Sequence, residues 1–241
     1  MSSFVLCRVF GGLMAVNGVA ITVAPAKFCE SYGIDTAEVS GSSLKIWRRN
    51  GIATLASGIL AVCLLFRDDS LNLAMGLASL PMAVSAALSL LNNDSETIGP
   101  SKAGDLSILA VHGAASLAGL TDASWANVAY KVLAGYALVA GIPLILQPSL
   151  ATDLWQLKEE VDDASSRGIG VNYATLGLLV GALALGIETT KAFGCSLLLI
   201  WPFIVYQNHI NDDLANLGMN KGARAFYTAL YLAIAGITLI D

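Results

Sequence analysis

Residues 125–147 read WANVAYKVLAGYALVAGIPLILQ, a stretch of 23 residues in which Lys131 is the single charge. A hydrocarbon layer about 30 Å thick is crossed by about 20 apolar residues wound as a helix. Backbone groups cannot stay unpaired in lipid, and the run lacks the alternating pattern of a barrel strand, so this segment reads as a membrane-spanning helix. Working outward, comparable runs lie at 4–25, 47–66, 71–91, 106–120, 169–187, 192–207 and 223–240. The fourth and seventh spans are the shortest of the eight. The expected fold is all-α, a polytopic integral membrane helical bundle in a lipid bilayer.

Composition agrees with that reading. Of the 241 residues 56% are hydrophobic and 13% charged, about half the charge of a soluble domain. The formal net charge of −5 excludes a nucleic-acid surface, which needs clustered cations. With eight spans, Lys27, Lys45, Arg48, Arg49, Lys102, Lys158, Arg167, Lys221 and Arg224 fall in loops on one side, and Arg67 and Lys191 in loops on the other. The positive-inside rule places the first side in the cytoplasm, matrix or stroma, with both termini opposite.

The chain also repeats itself. Residues 8–25 laid over 131–148 match Arg8 with Lys131, Val9 with Val132, Gly12 with Gly135, Val16 with Val139, Gly18 with Gly141 and Pro25 with Pro148, all 123 apart. Ala53-Thr54-Leu55 matches Ala174-Thr175-Leu176 and Pro81 matches Pro202 at 121, and Ala118-Gly119 matches Ala235-Gly236 at 117. A cation, glycines and prolines recurring in order predict a tandem duplication, residues 1–121 and 122–241. Four spans per unit is an even number, so the two repeats are expected to be parallel. Residues 149–168, with Leu150, Leu154, Leu157 and Val161 at helical spacing among acidic residues, predict an amphipathic helix on the membrane surface. Each unit has a small-residue first helix closing at Pro25 or Pro148, a polar interfacial stretch, a Gly- and Ala-rich second helix and a short turn into the third. In this it resembles the DoxX-like class of four-helix membrane proteins, a resemblance that implies a fold rather than one chemistry.

Candidate chemistry is sparse. The four cysteines form no CxxC pair and only two histidines exist, so no metal site is expected. Cys29 reads as the exposed thiol. His112, beside Gly113, Ala114 and Ala115, reads either as the ligand of a flat metal-centred pigment or as a histidine bonded across a helix interface. Gln207, Asn208 and His209 form a polar cluster ending the seventh span, a wet helix end or a ligand site. Arg8 and Lys131 are paired cations one turn inside the first helix of each unit, which either snorkel to headgroups or contact an anion or partner. Pro81 and Pro202 are expected to kink the third spans. Trp47 and Trp125 read as belt anchors, and Gly11, Gly12, Ala15, Gly18, Gly135 and Gly141 as close helix contacts. Acidic residues inside the spans are almost nil, and no HExxH, Walker, GxSxG or dinucleotide motif occurs. These features predict a non-catalytic membrane subunit that packs beside other membrane protein subunits and stabilises their complex. The alternative is a protein, an enzyme included, that holds a lipid, quinone or pigment inside the bundle. No cleavable secretory signal precedes the first span, and a plastid thylakoid or mitochondrial inner membrane is the expected location.

Overall fold

The computed structural model describes residues 3–36, 39–92, 101–155 and 161–240. Eight helices are long and apolar enough to cross a membrane: α1 (Ser3–Val23), α3 (Gly41–Ala61), α4 (Leu71–Leu91), α5 (Lys102–Leu120), α6 (Ala126–Leu146), α8 (Asp163–Ala184), α9 (Thr189–Val205) and α11 (Lys221–Ile240). Wider π turns extend α3 over Val62–Phe66 and α9 over Tyr206–Ile210, and α2 (Pro25–Ser31), α7 (Leu150–Trp155) and α10 (Asp213–Asn216) are short. No strand occurs among the described residues. The chain is an all-α, multi-pass membrane bundle.

Three spans begin four to six residues earlier than their apolar runs. Ser40, Ser101 and Asp162 each accept a hydrogen bond on the side chain from the backbone N–H three residues on, which satisfies one of the free donors of the first turn. Polar first turns are thereby drawn into the helices. Residues 163–168 thus belong to α8 rather than to a surface helix over 149–168, within which α7 lies. Leu157 and Lys158 lie outside the described residues, as does the side chain of Leu154. The expectation of almost no acid within the spans also needs correction, because α5 carries Asp105 fully buried.

Neighbour relations in the first half recur in the second. Helix α1 runs along α3 and α4 along α5, just as α6 runs along α8 and α9 along α11, while α3 and α8 meet in the middle. The α1–α3 seam is a ladder of small residues in which Gly11 meets Ala61, Ala15 meets Gly58, Gly18 meets Leu55 and Gly51 meets Thr22. A β-carbon on Gly18 would stand 2.4 Å from the Leu55 nitrogen, and one on Gly58 2.4 Å from that of Ala15. Only glycine permits such backbone approach, and in lipid it is this packing that holds helices together. On the α6–α8 seam Gly141 meets Ala174 and Gly170, and Gly177 meets Ala134 and Leu138. Gly51 and Gly58 therefore do the work of Gly170 and Gly177, a spacing of 119, two short of the spacing between the Ala-Thr-Leu triplets. Gly12 and Gly135 lie off these seams: nothing lies within 4 Å of a β-carbon there.

Two further expectations change. Cys29 is fully buried with Ile21, Ile34 and Trp47, and burial pushes its thiol up to about 11, so it is no accessible label. Trp47 packs in that same cluster at 9% exposure, whereas Trp125 is 44% exposed at the start of α6. Hydrogen-bonded helix continues through Pro81, Pro143 and Pro202.

Valine at position 18 should therefore force α1 from α3 and lower stability by about 3 kcal/mol, as overpacking does, whereas Gly12→Val should leave stability unchanged. Thermal unfolding of the two variants in detergent checks this, and equal effects would contradict the seam.

Candidate functional site

A cavity of ≈ 180 Å³ lies at one end of the bundle, where the halves meet. Its walls come from α1 (Asn17, Ile21), α3 (Trp47, Asn50, Thr54), α8 (Gly168, Val171, Asn172), the end of α9 with its π turn (Ile204, Gln207, Asn208) and α11 (Tyr227, Tyr231). Phe28, Tyr32 and Ile34 after α1, and Leu214 and Met219 before α11, complete the lining. Those two connections are joined: the Asp35 N–H donates to the Leu217 carbonyl at 3.2 Å, and Tyr227 donates its hydroxyl proton to Tyr32. Gly33 (φ +80°) and Gly218 (φ +89°) sit back to back where they cross, a β-carbon on Gly218 falling 2.9 Å from the Gly33 oxygen. Both need the left-handed conformation that glycine alone adopts without strain.

The lining is mostly apolar, with several carboxamides and no ionised side chain. No Asp, Glu, Lys, Arg or His stands among the described lining residues. Asn172 Nδ2 donates to Asn50 Oδ1 at 2.5 Å across the α3–α8 contact. Gln207 donates to the Ala164 carbonyl at 3.2 Å, and Asn208 to Thr228 Oγ1 at 3.1 Å. The Trp47 indole N–H is buried and has no partner, a state that costs about 1–3 kcal/mol unless something supplies an acceptor. The cavity thus combines carboxamides with aromatic and aliphatic side chains.

Two buried ion pairs flank the bundle core at this end. Arg167 Nη1 donates to both Asp213 oxygens at 2.5 and 2.6 Å, and its Nε donates to the Ile145 carbonyl at 3.1 Å. That pair fastens α10, and with it Leu214, onto α8 beside Gly168. Arg49 of α3 donates to Asp105 of α5 at 2.8 Å, while Ser89 of α4 donates to the other carboxylate oxygen at 2.6 Å. Arg49 and Arg167, loop cations on the apolar-run reading, are therefore helix residues whose charges are neutralised inside the protein.

The other candidates scatter. Gln207 and Asn208 line the cavity, but His209 turns outward and shares Thr228 Oγ1 at 3.0 Å. His112 is fully enclosed far along α5, with Tyr136 edge-on at 6.5 Å between ring centres and neither ring nitrogen bonded. Arg8 donates Nε to the Leu65 carbonyl at 2.6 Å and lies against the rings of Phe4 and Phe66. It closes the end of the α3 π turn, whereas its sequence counterpart Lys131 is exposed. No group of three metal-binding side chains occurs among the described residues. Asn50 and Asn172 went unnoticed in the sequence because each is a lone amide 122 residues from the other, and only the packing of α3 on α8 joins them.

No protein family, curated protein or solved structure was found to match this chain.

Replacing Arg167 by Met alone should cost about 3–5 kcal/mol by stranding a buried Asp213 carboxylate, and adding Asp213→Leu should restore most of it. Unfolding of the single and double variants in detergent tests the coupling, and simple additivity would contradict it.

Proposed function

We propose that this chain is a membrane-embedded binding protein whose site for a small uncharged molecule is the cavity between its two halves. The observation that carries the reading is the unpaired, buried Trp47 N–H in a lining that holds carboxamides and no ionised side chain. An ion brought there would lose part of its hydration and find no opposite charge among the lining residues. A neutral molecule with hydrogen-bonding groups meets no such penalty. An engineered apolar cavity of about 150 Å³ in another protein admits benzene, so the space here suits one ring or a headgroup of that size. The halves are taken as copies of one four-helix unit of the DoxX-like kind, supported by the recurring helix neighbours and glycine seams. The site is then a product of the duplication, belonging to neither copy.

A second reading, the accessory subunit, has an observation of its own. Val5, Val9, Val16, Val19 and Val23 stand exposed along α1 with Gly12 as a notch among them. On α6 the corresponding positions are Val128, Val132, Val139, Ile142 and Leu146 around Gly135, all exposed. A ridge with one open glycine suits a partner helix in lipid. The two readings are compatible in one protein.

Gly168 supplies the test of the first. A β-carbon there lies 3.7 Å from Asn50 Nδ2, an ordinary contact, so Gly168→Leu should fill the cavity and leave the seams intact. Mass spectrometry of solvent extracts should find a stoichiometric small molecule with the purified wild-type chain and none with the variant. Identical extracts would overturn the proposal. For the second reading, Gly12→Leu with Gly135→Leu should keep the melting temperature and lose a co-purifying membrane chain.

A further inference from the structure

We infer that the cavity's ligand presents a cis-amide edge, a carbonyl and an N–H side by side on a flat uncharged ring, as in a lactam, an imide or a cyclic urea. This rests on the reading of the cavity as a binding site and adds the chemical class.

The inference comes from what the Asn50–Asn172 bond leaves over. Each carboxamide has one oxygen acceptor and an NH2 with two donors. With Asn172 Nδ2 given to Asn50 Oδ1, the Asn50 amino group and the Asn172 oxygen have no further partner among the described residues. The pair therefore has both donors and an acceptor to spare, the Asn50 NH2 from one half of the protein and the Asn172 oxygen from the other. Turning both amides end for end exchanges which residue supplies which, but the pair still offers an NH2 from one half and an oxygen from the other. A cis-amide edge is its complement: the ligand carbonyl accepts from the free NH2 and the ligand N–H donates to the free oxygen. Asparagine reads the edge of adenine by the same two-bond logic.

The neighbouring amides strengthen the case for a donor on the ligand. Gln207 and Asn208 each spend an N–H on the protein, which leaves Gln207 Oε1 and Asn208 Oδ1 as unmet acceptors. Gln207 approaches the pair, since its Nε2 and Asn50 Nδ2 lie within 4.0 Å of one point, the β-carbon position of Gly168. A ketone or ester offers acceptors only and leaves these oxygens unsatisfied. The same lining includes the aromatic residues Phe28, Tyr32, Trp47 and Tyr227, which suit a flat ring.

The test uses the full chain in detergent and two probes of matched size, δ-valerolactam and cyclohexanone, titrated calorimetrically. The lactam should bind at least about tenfold more tightly, the increment of one neutral hydrogen bond at the upper end of its range. Asn172→Leu should bring the two probes to parity, and Gly168→Leu should abolish both. Nitrogen-15 spectra of the wild-type chain supply a readout that does not need a variant to fold: the side-chain amide resonances of Asn50 and Asn172 should move with the lactam and stay put with the ketone. Equal affinity for the two probes, with the amide resonances unmoved, would overturn the amide edge and leave the binding site standing. Binding of neither probe at millimolar concentration would overturn both.

Discussion

In hydrocarbon a helix gains nothing by hiding leucine from its surroundings, because the surroundings are as apolar as leucine. Close backbone approach and satisfied polar groups have to do what water exclusion does in a soluble domain. This constraint explains where the glycines of this chain fall. Gly18, Gly51 and Gly58 are placed where α1 and α3 touch main chain to main chain, and Gly141, Gly170 and Gly177 do the same for α6 and α8. Many large apolar residues point the other way. Val16, Val23, Val139 and Leu146 are among the most exposed side chains of the protein, an inversion of the soluble pattern that only a lipid environment makes reasonable.

The polar groups obey the second half of the same constraint. Arg167 and Asp213 are both almost wholly buried yet meet each other through two charge-assisted bonds, and Arg49, Asp105 and Ser89 complete a second closed network. A buried pair of this kind contributes little net stability but fixes which surfaces fit together. Where the two halves join at α3 and α8, the pairing is incomplete. Asn50 and Asn172 satisfy one bond between them and leave the remainder at the cavity, beside an indole N–H that has no partner. The ion pairs of Arg167 and Arg49 are closed, while the neutral amides at the junction keep spare donors and acceptors beside the cavity, which supports the proposed site for an uncharged molecule.

The spans were legible because twenty-residue apolar runs have few other physical meanings. Their first turns were not: Ser42, Ser43, Lys45, Ser165 and Arg167 read as loop by hydropathy, and only caps and cross-helix partners reveal that they are helical. Asp105 is the plainest instance, since an acid at the edge of an apolar run looks like a boundary until Arg49 of another helix is seen beside it. The glycine seam was legible in kind on α1 and misplaced in detail, because Gly11 and Gly18 face α3 while Gly12 faces outward, a distinction of 100° around the helix that composition does not encode. Gln207 and Asn208 stood out as an amide cluster, and the structure brings them to the cavity. Their partners across it could not be found by local reading, since Asn17, Asn50 and Asn172 are isolated amides in three separate spans.

The central claim is that α3 and α8 meet through an amide pair that borders a shared cavity. Magic-angle-spinning NMR of the chain in lipid bilayers tests it directly, by seeking a through-space correlation between the side-chain carbonyl carbon of Asn50 and the side-chain nitrogen of Asn172. A strong cross-peak surviving in bilayers is the predicted result. Absence of that cross-peak, with both amides correlating to lipid acyl chains instead, would contradict the account.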